Sequence, residues 1–156
     1  MIEKTLAMRL LEGKKIPYEA ISYDAQLRDA AEVAQQIGAQ PGSVFKTLVV
    51  TRPTGKPFLV MVAADKQLDL KRMAKEVGEK KVSMASHREA EELTGLQVGG
   101  ISALALLNRG FVICADAGIQ AHELVYVSAG KRGLQLQVPS VALVRVTRAR
   151  IISAAA

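Results

Sequence analysis

The strongest constraint on this chain is a pair of apolar runs joined by a short turn. Residues 44–51 read VFKTLVVT and residues 58–64 read FLVMVAA. Their length and β-branched content suit strands. The PTGKP segment between them, residues 53–57, carries the punctuation of a hairpin connection. Both runs are apolar at nearly every position, as in strands covered on both faces. The rest of the chain must therefore supply cover for two sides of a sheet. A length of 156 residues is enough for one domain with a proper core, and no linker or internal repeat divides it.

The cover is legible around the hairpin. Residues 2–11 follow helical spacing up to a stop at Gly13, and residues 27–37 share an apolar face closed by Gly38. Residues 69–77 open on Asp69 as N-cap and close on Gly78. Ser86 and Glu89 have the spacing of a capping box for a helix ending near Thr94-Gly95. Pro139-Ser140 opens a last helix running to about Val146. Further strands are expected at residues 17–23, 81–83, 111–114, 124–128 and 134–138. Helices and strands alternate too irregularly for a doubly wound sheet. The expected fold is α+β: a single domain over residues 1–156, with a mixed, largely antiparallel, six- or seven-stranded barrel-like sheet flanked by helices.

Composition removes several classes. Cys114 is the only cysteine, so no intramolecular disulfide can form. The first residues lack a signal-peptide core, and no apolar run is long enough to span a bilayer. These features point to a reduced, cytoplasmic setting with no membrane partner. A net charge of +6 and a pI near 9.6 suit a polyanionic partner such as nucleic acid. With no Trp, three Tyr and three Phe, a stacking platform for several bases is not expected.

Lys46 stands out within the first apolar run. Strand alternation puts it on one face with Val44, Leu48 and Val50, while Phe45, Thr47 and Val49 take the other. An ammonium on an apolar face either reaches back to water or holds a ligand carbonyl or phosphate. The loop Gly99-Gly100-Ile101-Ser102 is the second candidate. Paired glycines admit close backbone approach, and Ser102 is placed to cap a short helix over residues 103–107; the plain alternative is a tight turn. The basic turn Gly130-Lys131-Arg132-Gly133 is either a phosphate grip or a charged hairpin tip. Cys114, Asp116 and His122 do not make a thiol nucleophile, because Cys114 ends the core-like run FVIC. His87 and His122 lack ligand spacing, so neither a metal nor another cofactor is expected. The pairs Lys14-Lys15, Lys71-Arg72 and Lys80-Lys81 and the series Arg145, Arg148 and Arg150 read singly as solvated surface. The sequence does not place them on one face.

Four segments in order, VFKTLVV, DKQLDLKRMAKEVGEKKVSMAS, TGLQVGGIS and YVSAGKRGLQL, resemble the YbaK/EbsC family of aminoacyl-tRNA deacylases. The same fold occurs as the editing insertion of bacterial prolyl-tRNA synthetases. The resemblance spans nearly the whole chain and implies a mixed barrel flanked by helices. It implies hydrolysis, without a cofactor, of the ester of a mischarged aminoacyl-tRNA. The expected substrate is Cys-tRNA(Pro) or another small amino acid on tRNA(Pro), with prolyl-tRNA synthetase as a candidate partner. Residue by residue it assigns catalysis to Lys46, Gly99 and Gly100. It assigns the aminoacyl pocket to Tyr23, Phe45, Thr47, Ile101, Ser102, Ser128 and Gln135, and tRNA contact to Lys131 and Arg132. In cysteine-specific members the substrate thiol is thought to attack the ester, which suits a chain with no evident side-chain nucleophile.

The chain departs from the family pattern at three places. Ala103 follows GGIS where many members have Pro, Ala129 replaces a glycine, and Gln135 stands where cysteine-specific members often carry an acid. These positions bear on which amino acid is selected, because loop and pocket residues set substrate choice. Gln135 also leaves room for a second class of function, a non-catalytic module that binds tRNA or a synthetase. Lys46, Thr47 and the GGIS loop argue for the enzyme, since a scaffold has no need of a lysine on an apolar strand.

Overall fold

The computed structural model describes residues 3–27 and 29–156. Helix α1 (Leu6–Gly13) is capped by the Thr5 hydroxyl and buries Ala7, Met8 and Leu11. Its expected start at Ile2 lies outside the described residues. Strand β1 (Glu19–Ser22) is followed by α2 (Ala30–Ile37). That helix starts later than its apolar pattern suggests because Asp29 caps it, accepting from the Ala31 N–H at 3.1 Å. Gly38 ends it at φ 74°, a left-handed position that suits glycine.

The hairpin forms as expected, with β2 (Phe45–Thr51) antiparallel to β3 (Phe58–Ala63). Every residue of β3 is buried. One face of this pair, with Phe45, Val49, Leu59 and Met61, looks into the main core. The other, with Val50, Phe58, Val60 and Val62, packs on Met73 and Ala74 of α3 (Leu70–Val77). Two-sided cover thus explains the uninterrupted apolar runs. The Asp69 cap of α3 and the Ser86–Glu89 capping box of α4 (His87–Thr94) both form.

The remaining strands are β4 (Ser83–Met84), β5 (Val112–Asp116), β6 (Leu124–Ser128), β7 (Leu134–Pro139) and β8 (Arg150–Ile152), with α5 (Ser140–Thr147) before the last. They make two sheets, ordered β1-β7-β6 and β4-β2-β3-β5-β8. The mixed, α+β character is as expected, and the β3–β5 and β5–β8 pairings are the parallel ones. A barrel-like sheet of six or seven strands is not found. Among the described residues, eight strands divide between two sheets, and neither closes. The physical reason lies on β2. Strand β4 pairs only with its last two residues, Val50 and Thr51, and β6 meets the chain just before it through a single bridge, Val44 to Tyr126. Among the described residues the edge of β2 between these points has no strand beside it.

Candidate active site

That open edge is one wall of a cleft of about 210 Å³. In a strand, successive residues point their main-chain groups to opposite edges. The Val49 carbonyl accepts from the Ala85 N–H at 3.0 Å on the side away from β3, and the Val44 carbonyl accepts from Ala64 N–H at 2.7 Å on the β3 side. Thr47 shares the phase of Val49, so its N–H and C=O face the unpaired edge. Lys46, half-buried, projects beside it and enters no ion pair among the described residues.

The opposite wall is the Gly99 loop. Gly99 sits at φ 94° and lines the cleft, and its carbonyl lies 3.5 Å from the Tyr23 hydroxyl, which donates to it weakly. Ile101 lies behind it, 7% exposed. The end of the cleft is formed by Ser128 and Gln135, paired across β6 and β7. The Ser128 hydroxyl accepts from the Gly130 N–H at 3.1 Å. Gln135 is 7% exposed, and its Oε1 has no hydrogen-bond partner among the described residues. Among the described side chains it is the only buried polar one with an atom left this way. Such an atom is costly in an apolar setting.

Eight of the residues singled out from the sequence therefore meet in one place: Tyr23, Phe45, Lys46, Thr47, Gly99, Ile101, Ser128 and Gln135. Four do not line it. Gly100 spends its N–H on the Gln97 carbonyl at 2.8 Å, so it does not offer that donor to a substrate. A Cβ on Gly100 would fall 2.8 Å from the Arg132 nitrogen and 2.8 Å from the Lys131 carbonyl carbon, so glycine is required there for packing. The Ser102 hydroxyl is buried and accepts from the Ala105 N–H at 3.2 Å, but the helix expected over residues 103–107 is a single 3-10 turn, Leu104–Leu106, whose N-cap position is Ala103. Arg132 donates from Nε to the Val98 carbonyl at 2.8 Å and ties the GKRG turn to the glycine loop, and Lys131 is exposed.

The cleft also includes Asp29, Ala30, Val33 and Val98, which the sequence reading passed over. The signal was present in Asp29 as an N-cap before AAEVA. Cys114 is fully buried, and burial pushes its thiol up to about 11, so it is inert as a nucleophile. Among the described residues no three His, Cys, Asp or Glu side chains gather to hold a metal ion, and no helix is long and apolar enough to cross a membrane.

Residues 24–146 match the model of the aminoacyl-tRNA editing domain. The chain belongs to that family. Over 147 residues it is 33% identical to a candidate Cys-tRNA(Pro)/Cys-tRNA(Cys) deacylase, EbsC, of Enterococcus faecalis, covering 93% of this chain and 89% of the relative. It is 30% identical over 116 residues, 74% of the chain, to the proline–tRNA ligase of Thermodesulfovibrio yellowstonii, and these residues span 19% of that longer protein. The fold is similar to the crystal structure of hypothetical protein APE2540, with TM-score 0.89 and 25% identity over 97% of this chain and all of the other. It also matches a candidate trans-editing enzyme for prolyl-tRNA synthetase, with TM-score 0.81 and 24% identity over 98% of both chains.

Proposed function

We propose that this aminoacyl-tRNA editing domain acts in trans as a deacylase, and that the cleft beside β2 receives the aminoacyl end of a mischarged tRNA. The observation that carries the reading is the half-buried Lys46 on the open edge of β2, across from Gly99 and in no ion pair among the described residues. An ester carbonyl between these walls would meet the Lys46 ammonium and main-chain donors from Thr47 and Gly99. Such donors favour the negative charge that grows on the carbonyl oxygen during attack. The nucleophile adds to the carbonyl carbon and gives up its proton, the bond to the ribose oxygen breaks, and that oxygen takes up a proton; the amino acid leaves as the free acid when water attacks, or as a thiolactone when the substrate thiol does. Free tRNA leaves.

No side chain in the cleft is an activated nucleophile, so the attacking group is water or the thiol of a cysteinyl substrate. The volume, about 210 Å³, is below the roughly 300–1,000 Å³ usual for drug-sized ligands. It suits a small amino acid. Selection by size rejects larger side chains more strongly than smaller ones. The orphaned Gln135 Oε1 is an acceptor for the substrate's α-amino group. The similarity to a Cys-tRNA(Pro)/Cys-tRNA(Cys) deacylase and to a proline–tRNA ligase supports tRNA(Pro) as carrier and prolyl-tRNA synthetase as partner.

The test is ester hydrolysis on cysteinyl-, alanyl- and seryl-tRNA(Pro), with wild type beside Lys46→Ala. Loss of at least one ester with wild type and its persistence with the variant are expected. Stable esters together with salt-sensitive tRNA binding would instead mark a non-catalytic module. A pull-down of prolyl-tRNA synthetase, with and without tRNA, tests the partner.

A further inference from the structure

A larger groove, about 1160 Å³, lies at the other end of the β2–β3 hairpin and shares no lining residue with the cleft. Register puts Phe45 opposite Ala63 at the cleft end and Val50 opposite Phe58 at the groove end. Five residues of strand separate them, roughly 17 Å. Lys14, Lys56, Arg145, Arg148 and Arg150 line the groove, all are exposed, and the lining holds no acidic residue. Among the described residues none of the five joins an ion pair. Ile16, Leu107, Phe111 and Val146 form a half-buried apolar floor between them.

The cations come from unrelated parts of the chain. Lys14 ends α1, while Arg145 and Arg148 end α5. A helix C-terminus favours nearby cations, which alone would explain these three. It does not explain Lys56 in the hairpin turn or Arg150 on β8. Nor can two helix ends, each worth about half a negative charge, neutralise five positive ones. The backbone adds a second sign. The non-glycine residues at positive φ among those described are Lys15, Asn108 and Arg148, at 57°, 64° and 54°. Asn108 and Arg148 line the groove, and Lys15 sits between its neighbours Lys14 and Ile16. Arg148 occupies the helix-ending position where glycine relieves strain, so a cation is kept there at a conformational cost.

We infer that this groove binds the phosphodiester backbone of RNA, and that it holds the body of a tRNA while the unpaired 3′ end reaches the cleft. An all-positive lining that includes three guanidinium groups suits phosphates, which arginine engages through paired N–H donors. A protein partner would ordinarily meet charges of both signs. The inference rests on the editing reading for the identity of the RNA.

The test is tRNA binding by anisotropy across 50–200 mM salt, with wild type and the Lys14→Gln/Lys56→Gln/Arg145→Gln triple variant. These three side chains make no hydrogen bond among the described residues. The triple variant is expected to bind at least about tenfold more weakly at low salt, with a log–log salt slope shallower by about 2–3. Its kcat/KM on mischarged tRNA should fall about tenfold relative to its own value on an aminoacylated CCA trinucleotide. Unchanged affinity and slope would overturn the groove. Intact RNA binding with no ester cleaved would overturn the editing reading and leave the groove standing. An acidic protein held by the groove in place of RNA would also sink it. Should the triple variant fail to fold, wild-type amide shifts on titration with an acceptor-stem minihelix decide. They are expected around residues 14, 56 and 145, and shifts confined to the cleft would refute the proposal.

Discussion

Asp116 and Gln135 are nearly equally shut off from water, 8% and 7% exposed, yet their surroundings differ in kind. The Asp116 carboxylate accepts from three main-chain N–H groups, those of Gly118, Ala154 and Ala155, at 2.9–3.0 Å. It thereby fastens the C-terminal residues to the end of β5. Among the described residues the Gln135 amide oxygen has no hydrogen-bond partner, and it lies at the end of a cleft whose lysine joins no ion pair. Burial by itself does not tell two such polar groups apart. What separates them is whether the protein has already used the group's bonding capacity.

The largest expected effect tests the unsatisfied side of that contrast. Lys46→Ala should lower ester hydrolysis by about 10²–10³-fold, the range for losing one donor to a developing oxyanion. Its melting curve should stay within about 0.5 kcal/mol of wild type, as for an exchange away from a packed feature. A large stability loss with activity retained would make Lys46 a scaffold residue and erase the distinction. Asp116→Ala is the opposite case. It strips a charged acceptor from three buried or half-buried N–H groups and should cost about 2–4 kcal/mol in denaturant unfolding. The folded fraction should retain its kcat. Gly100→Ala comes next, at about 1–3 kcal/mol from overpacking against the Lys131–Arg132 backbone. It should also weaken hydrolysis several-fold, because the same shift displaces Gly99.

The elements that organise this contrast differ in how legible they were. Periodicity and caps placed α3 and α4 closely, since Asp69, Gly78, Ser86 and Glu89 are local signals that the structure uses locally. The β2–β3 hairpin was equally plain. Strand β8 was not, because three residues beginning with an exposed arginine carry no readable alternation and pair in parallel with a distant strand. The split into two sheets was hidden for a related reason. Nothing in VFKTLVVT says that one edge of its first half goes unpaired. The cleft residues carried by local motifs, such as Lys46 and Gly99, could be named in advance. Gly100 and Arg132 were legible as a pair of motifs, but not as two backbones pressed against one another. The missing acceptor bond at Gln135 is a property of three dimensions alone.

The smallest effect sharpens the comparison most, because it has opposite signs in two measurements. Gln135→Met keeps the length of the side chain and removes the orphaned oxygen. If that oxygen is unused in the free protein, its loss relieves a desolvated acceptor, and the variant should gain about 1 kcal/mol of stability. For a chain of this length that is a rise of roughly 2–4 °C in Tm. If the oxygen accepts from the α-amino group of the substrate, KM should rise by about five- to tenfold, the equivalent of about 1 kcal/mol or slightly more. The rate of the bound ester should change little, because that contact is the same in ground and transition states. A variant that is both less stable and unchanged in KM would place Gln135 with Asp116, as a group the fold itself consumes.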